Sequence, residues 1–304
     1  MCLAVVSTSS TDGNGSTDGN GSTDGNGSTD DSHATDGNLH TMAIGDTGSR
    51  VVFLHGLFGQ GRNWTQIGKA LADPSRADAH RVLLVDLPHH GRSTWEGEVE
   101  YLHMADQVAG LLDADDPVAL VGHSLGGKVA MVLALRHPEL VERLCVVDVS
   151  PVAYDRLSQF EGYVAALQGL DLGSFVRRAD AEAALAEAVP DATVRGFLLQ
   201  NLRRDGDGWR WQVDLDVLGA ALPEIGGWPA DRLADTPPYR GPVMWVAGAR
   251  SDYIQPAYAE AMDRWFPTNR LVTVKDAGHW VHSEQPEVFV QVLRHFLDTP
   301  PTGG

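Results

Sequence analysis

Six short apolar runs recur along the chain, and the stretches between them are patterned for helix. Arg50–His55, Arg81–Asp86, Val118–His123, Leu144–Val149, Pro242–Ala247 and Arg270–Lys275 are rich in apolar and β-branched residues and close on Gly, Pro, Asp or His, which predicts buried strands. Helices are expected at about Ala105–Asp113, Leu125–His137, Pro256–Trp265 and Pro286–Leu297, with Pro138 stopping the second. Strand and helix in alternation specify a mostly parallel sheet covered on both faces. Ligands meet such a sheet beyond the carboxyl ends of its strands.

Two segments break the alternation. In residues 1–38 the hexapeptide Ser-Thr-Asp-Gly-Asn-Gly runs three times in tandem from Ser10. With almost no apolar side chains to offset the entropy of ordering, a disordered low-complexity tail is expected. Its Asp-Gly-Asn-Gly lacks the alternating Asp ligands and the closing Glu of a calcium loop. Residues 151–240 separate two strands by too many positions for a bare loop. They carry helical patterns at Asp180–Val189 and Thr193–Leu202, with Trp209 and Trp211, and read as an inserted helical cap. Residues 39–150 and 241–298 are then one α/β core, and 299–304 a C-terminal tail.

Charge and cysteine content narrow the function. Lys and Arg number 23 against 41 Asp and Glu, a formal charge of −18 in 304 residues. A surface that acidic repels phosphate backbones and anionic lipid, which argues against nucleic-acid and membrane partners. Cys2 and Cys145 make no disulfide framework. No apolar run approaches the roughly 20 residues that span a bilayer, and the start has no basic region before its short apolar stretch. A cytoplasmic globular protein is expected.

Gly122-His123-Ser124-Leu125-Gly126 is the only Gly-x-Ser-x-Gly in the chain. It follows the strand Val118–Val121 and opens the alanine-rich helix Lys128–Leu135, the strand–turn–helix setting of a nucleophile elbow. A serine is a weak nucleophile and needs a base. His279 follows the last strand and is positioned to meet Ser124 at the sheet edge. His55, His89, His90 and His123 lie at strand ends or turns, where backbone hydrogen bonds are the expected use. His279 and His282 are three apart without a third ligand at suitable spacing, so no metal site is expected. Acyl transfer puts charge on a carbonyl oxygen, and backbone N–H groups must await it. Leu125 supplies one, and the loop His55-Gly56-Leu57-Phe58-Gly59 supplies the other from Leu57, with Phe58 as the alternative. An acid must orient the histidine. Asp148 and Asp252 each follow a strand, both keep the order Ser–Asp–His, and composition does not choose between them.

His55-Gly56-Leu57-Phe58-Gly59, Asp86-Leu87-Pro88-His89-His90-Gly91-Arg92-Ser93, Gly122-His123-Ser124-Leu125-Gly126-Gly127 and Gly278-His279-Trp280 together resemble the α/β-hydrolase superfamily, over about Arg50 to Leu297. More narrowly, Val147-Asp148-Val149-Ser150-Pro151, the segment Val194–Leu202 and Ala277–His282 resemble the YbfF-type esterases and their mitochondrial abhydrolase relatives. The resemblance implies an α/β-hydrolase fold, a mostly parallel doubly wound sheet with an inserted helical cap. It also implies a serine esterase with no metal or organic cofactor, acting on small-molecule carboxylic esters of small to medium acyl chain as a monomer or small homo-oligomer. Many superfamily members place the acid after the later strand, where this chain has Ser251, with Asp252 one residue late. The narrower branch uses the earlier strand end, which is Asp148 here. This chain departs from the branch at His89, where Asn is usual, and at Asp252, where an uncharged residue is usual. Phe160, Tyr163, Phe197, Trp209 and Trp211 are expected to shape an apolar acyl pocket. A thioesterase, lactonase or carbon–carbon hydrolase would use the same three residues, and a non-catalytic binding scaffold is the reading from another class.

Overall fold

Nine strands follow one another in the computed structural model, which describes residues 39–155 and 157–299: β1 (Thr41–Ile44), β2 (Arg50–Leu54), β3 (Arg81–Val85), β4 (Val118–His123), β5 (Val141–Val147), β6 (Leu202–Asp205), β7 (Gly208–Trp211), β8 (Val243–Gly248) and β9 (Asn269–Val274). The tail expected at 1–38, and residues 300–304 of the expected C-terminal tail, lie outside the described residues. Seven strands form one sheet in the order β1-β3-β2-β4-β5-β8-β9. Only β1 runs antiparallel, against β3.

Side chains alternate through this sheet, as a period of two requires. Val52, Leu54, Leu120, Val146 and Trp245 join the core on one face, with the helices Tyr101–Ala109 and Leu125–Arg136. Val51, Phe53, Val121, Val147 and Met244 join the core on the other, with the helices Thr65–Leu71 and Pro286–Asp298. Both faces are apolar because both are covered, which is why these strands read as continuous hydrophobic runs.

Element boundaries differ from expectation where side chains intervene. The helix expected at Ala105–Asp113 spans Tyr101–Ala109, because the Glu100 carboxylate accepts the Leu102 N–H and starts it earlier. The strand expected at Leu144–Val149 spans Val141–Val147 and stops where Asp148 turns to φ 51°. Three strands, β1 and the two of the β6–β7 hairpin, were not expected at all.

Residues 151–240 supply the helices Ser158–Gln168, Arg178–Leu185, Ala192–Leu199, Leu215–Ala220 and Leu222–Gly226 between β5 and β8. They also supply the antiparallel hairpin β6–β7, so Trp209 and Trp211 stand on a strand. The segment docks on the loops beyond β2 and β3. Asn201 Nδ2 donates to the Phe58 carbonyl at 2.7 Å, and the Gly91 N–H donates to the Gln212 carbonyl at 2.9 Å. Those loops mark the carboxyl edge of the sheet. Among the described residues no helix is long and apolar enough to cross a membrane.

Candidate active site

Ser124 sits between β4 and the helix Leu125–Arg136 with φ 51° and ψ −115°. A non-glycine residue held there carries about 1–3 kcal/mol of backbone strain, which surrounding contacts must impose. They do so through close packing. A Cβ at Gly122 would stand 2.2 Å from the Gly126 carbonyl oxygen, and one at Gly126 would stand 2.5 Å from that of His55. Only glycine lets strand, turn and helix approach this closely. The Ser124 N–H is tied to the Val147 carbonyl at 3.1 Å, so the side chain is left at the head of the bend.

Asp148 lies one residue beyond β5, fully buried and also at positive φ. Its carboxylate receives three donors: His279 Nδ1 at 2.8 Å on Oδ2, the Gly248 N–H at 3.0 Å on Oδ1, and the Ser251 hydroxyl on Oδ2. All three partners donate, so both carboxylate oxygens act here as acceptors. Since it only accepts, His279 carries its proton on Nδ1 and keeps Nε2 available as a base. Tyr253 stacks on the His279 ring at 4.2 Å, and His123 donates from Nε2 to the His279 carbonyl at 2.9 Å. The imidazole is thus fixed on its edge, its face and its backbone. Asp252 is exposed, and its carbonyl accepts from Gln255 Nε2 at 2.8 Å. Of the two aspartates, the structure brings Asp148 to the histidine.

The loop after β2 is fixed by two buried histidines. The Leu87 N–H donates to His55 Nε2 at 2.9 Å, and His55 Nδ1 in turn donates to the Gly56 carbonyl at 2.8 Å. The Phe58 N–H donates to His90 Nε2 at 3.1 Å, and His90 Nδ1 donates to the Pro88 carbonyl at 2.8 Å. Burial keeps both rings neutral, pushing His90 down to about 3. The Phe58 N–H is therefore already engaged, which separates it from Leu57. His89 stands at φ 62°, a conformation that asparagine adopts more readily than histidine.

Leu57, Ser124 and His279 line one narrow cavity of about 10 Å³, together with Phe160, Phe197 and Trp280. Tyr163 lines it too. A second cavity of about 40 Å³ opens from Leu57, Ser124 and Phe160 toward Lys128. A groove of about 340 Å³ shares Val194, Phe197 and Trp280 with the first cavity. Trp209 and Trp211 line none of the three. Trp209 instead donates to the Phe175 carbonyl at 3.1 Å and lies beneath Arg204. Sequence reasoning missed Tyr253 and Lys128, and it assigned Ser251 no role, although its hydroxyl donates to the Asp148 carboxylate.

A model described as the alpha/beta hydrolase family matches residues 51–292. The chain is 38% identical over 253 residues to a Mus musculus protein named sn-1-specific diacylglycerol lipase ABHD11, a match covering 81% of this chain and 80% of that one. It is 29% identical over 252 residues to Esterase YbfF of Escherichia coli strain K12, covering 82% and 93%. Among solved structures, one titled Marine microorganism esterase superposes with a TM-score of 0.79 at 30% identity, covering 85% of this chain and 98% of that one.

Proposed function

The chain belongs to the alpha/beta hydrolase family and is a carboxylic ester hydrolase, and we propose that it works through Ser124, His279 and Asp148 by way of an acyl-enzyme. The observation that carries this reading is the shared cavity. A serine on a strained bend and a histidine oriented by a buried carboxylate face one space too small for more than about one water. His279 Nε2 takes the Ser124 proton as the hydroxyl attacks the ester carbonyl, and the same proton then goes to the departing alcohol. Water, deprotonated by His279, releases the acid and restores Ser124. The oxyanion is received by the N–H groups of Leu125, at the head of a helix whose first N–H groups have no partner within it, and of Leu57. The bond between the Phe58 N–H and His90 favours Leu57 over its neighbour in that role.

Residues 151–240 act as a cap over this site, with Phe160, Tyr163 and Phe197 closing the cavity. The 40 Å³ space beside Ser124 fits a small to medium acyl chain at its short end, and the groove beyond Trp280 fits the leaving alcohol. A series of p-nitrophenyl esters tests this directly. Specificity should peak between acetate and butyrate and fall at least roughly tenfold by dodecanoate, because each further methylene lacks space in a packed pocket. A peak at dodecanoate would remove the short-acyl assignment, and no turnover of any member would remove the esterase mechanism.

Ser251 supports the acid rather than the substrate. Ser251→Ala leaves the buried Asp148 carboxylate one donor short, and a hydrogen bond to a charged group contributes about 1.5–3 kcal/mol. A roughly tenfold fall in kcat with KM within about twofold is expected. An unchanged kcat would take Ser251 out of the site's support.

A further inference from the structure

Of the three lysines Lys69, Lys128 and Lys275, only Lys128 is buried, at 1% exposure. It stands four residues after Ser124, and both residues line one cavity. Its Nζ donates to the Gly226 carbonyl at 2.9 Å and to the Gly227 carbonyl. It also lies 4.8 Å from the Tyr154 ring centre and 5.6 Å from that of Tyr101. Among the described residues no carboxylate is in ion-pair contact with it; Glu224, which is exposed, acts on it only through space. Burial pulls the ammonium down to about 7 against the weaker upward pull of Glu224.

A buried ammonium without a counter-ion is costly, and an apolar residue of similar length serves packing better. The tie to the two carbonyls of residues 226 and 227 uses only two of the three N–H donors of an ammonium. The side chain meanwhile lines the 40 Å³ cavity that Ser124 also lines. The remaining lining there is mostly apolar, with Leu57, Val149, Leu157, Leu222 and Ile225; the hydroxyls of Tyr101 and Tyr154, which also line it, donate to backbone carbonyls. A mostly apolar cavity lined by both a nucleophile and a cation without a paired carboxylate has the form of a site for an acyl group that ends in an anion.

We infer that Lys128 reads a carboxylate at the far end of the acyl chain, so that half-esters of short dicarboxylic acids are preferred substrates. This rests on Ser124 being the nucleophile. The carboxylate supplies the missing counter-charge and occupies the third donor, while the two methylenes of a succinyl group lie along the apolar walls. The chain's net charge of −18 repels anions at long range, so a preference for them must come from a local group.

Three methyl esters separate the possibilities: monomethyl succinate, its neutral isostere methyl 4-methylpentanoate, and the cationic methyl 4-(trimethylammonio)butanoate. For the unmodified chain, kcat/KM should rank carboxylate above neutral above cation, with the first step roughly 10- to 100-fold, the effect of one charge-assisted hydrogen bond. In Lys128→Met the ratio of carboxylate to neutral ester should fall to one or below. A preference for the neutral or cationic ester in the unmodified chain overturns the inference without any variant, as does an unchanged ratio in Lys128→Met. The failure of the underlying mechanism is distinguishable, because Ser124→Ala would then hydrolyse all three esters as fast as the unmodified chain.

Discussion

Ser124→Ala is expected to reduce p-nitrophenyl acetate hydrolysis to the background rate, a loss of about 10⁶-fold in kcat. The size follows from geometry. Among the residues lining the cavity, Ser124 is the hydroxyl set on the bend before a helix, next to the Leu125 N–H and with His279 in the same space. Removing the hydroxyl leaves the N–H groups of Leu57 and Leu125, which can still polarise an ester carbonyl but form no bond with its carbon. His279→Ala should cost a similar amount, and the double variant little more than either, because the two side chains act as one unit. The fold should survive each change. Alanine at position 124 meets the same positive φ as serine does, and the close approach of Gly122 to Gly126 is untouched. Activity measured by p-nitrophenolate release, alongside thermal melting, checks both halves; residual turnover above about one per cent would place the nucleophile elsewhere.

The second large effect distinguishes the two aspartates. Asp148→Asn should lower kcat by about 10⁴-fold, since an amide in that position no longer holds the Nδ1 proton and leaves the histidine in the wrong tautomer. The Gly248 N–H and the Ser251 hydroxyl, both aimed at this carboxylate, would lose an anionic acceptor at the same time. Asp252→Asn, at an exposed position, should stay within about threefold. Steady-state kcat for the two variants decides the matter, and the reverse order would transfer the acid to Asp252.

Much of this architecture was legible because the central strands are covered on both faces, which forces them into unbroken apolar runs such as Val118–Val121. β1 escaped notice for the opposite reason. Thr41–Ile44 is a four-residue edge strand with only one neighbour, too short to show a period. The β6–β7 hairpin carried a readable signal in its two-residue loop Gly206-Asp207, with Gly206 at φ 57°, but the surrounding helical patterns obscured it. Ser124 and His279 stood out since each is framed by a local pattern of strand and glycine. The acid was different. Asp148 and Asp252 have equivalent local settings, and what separates them is how β5 and β8 pair, with the Asp148 N–H on the Val246 carbonyl at 2.9 Å. Register across a sheet leaves no mark in a single local stretch. Lys128 was hidden for a similar reason, as a lysine in a helix ordinarily faces solvent and only tertiary packing reveals one that does not.

Covalent capture of the nucleophile tests the account most directly. An alkyl fluorophosphonate added to the purified chain should bind once per molecule, and peptide mass spectrometry should find the phosphonyl group on Ser124. The same reagent should leave His279→Ala unmodified over the time that saturates the unmodified chain, because the hydroxyl is inert without its base. A label on any other side chain, or equal labelling with the imidazole gone, would contradict the pairing of Ser124 with His279.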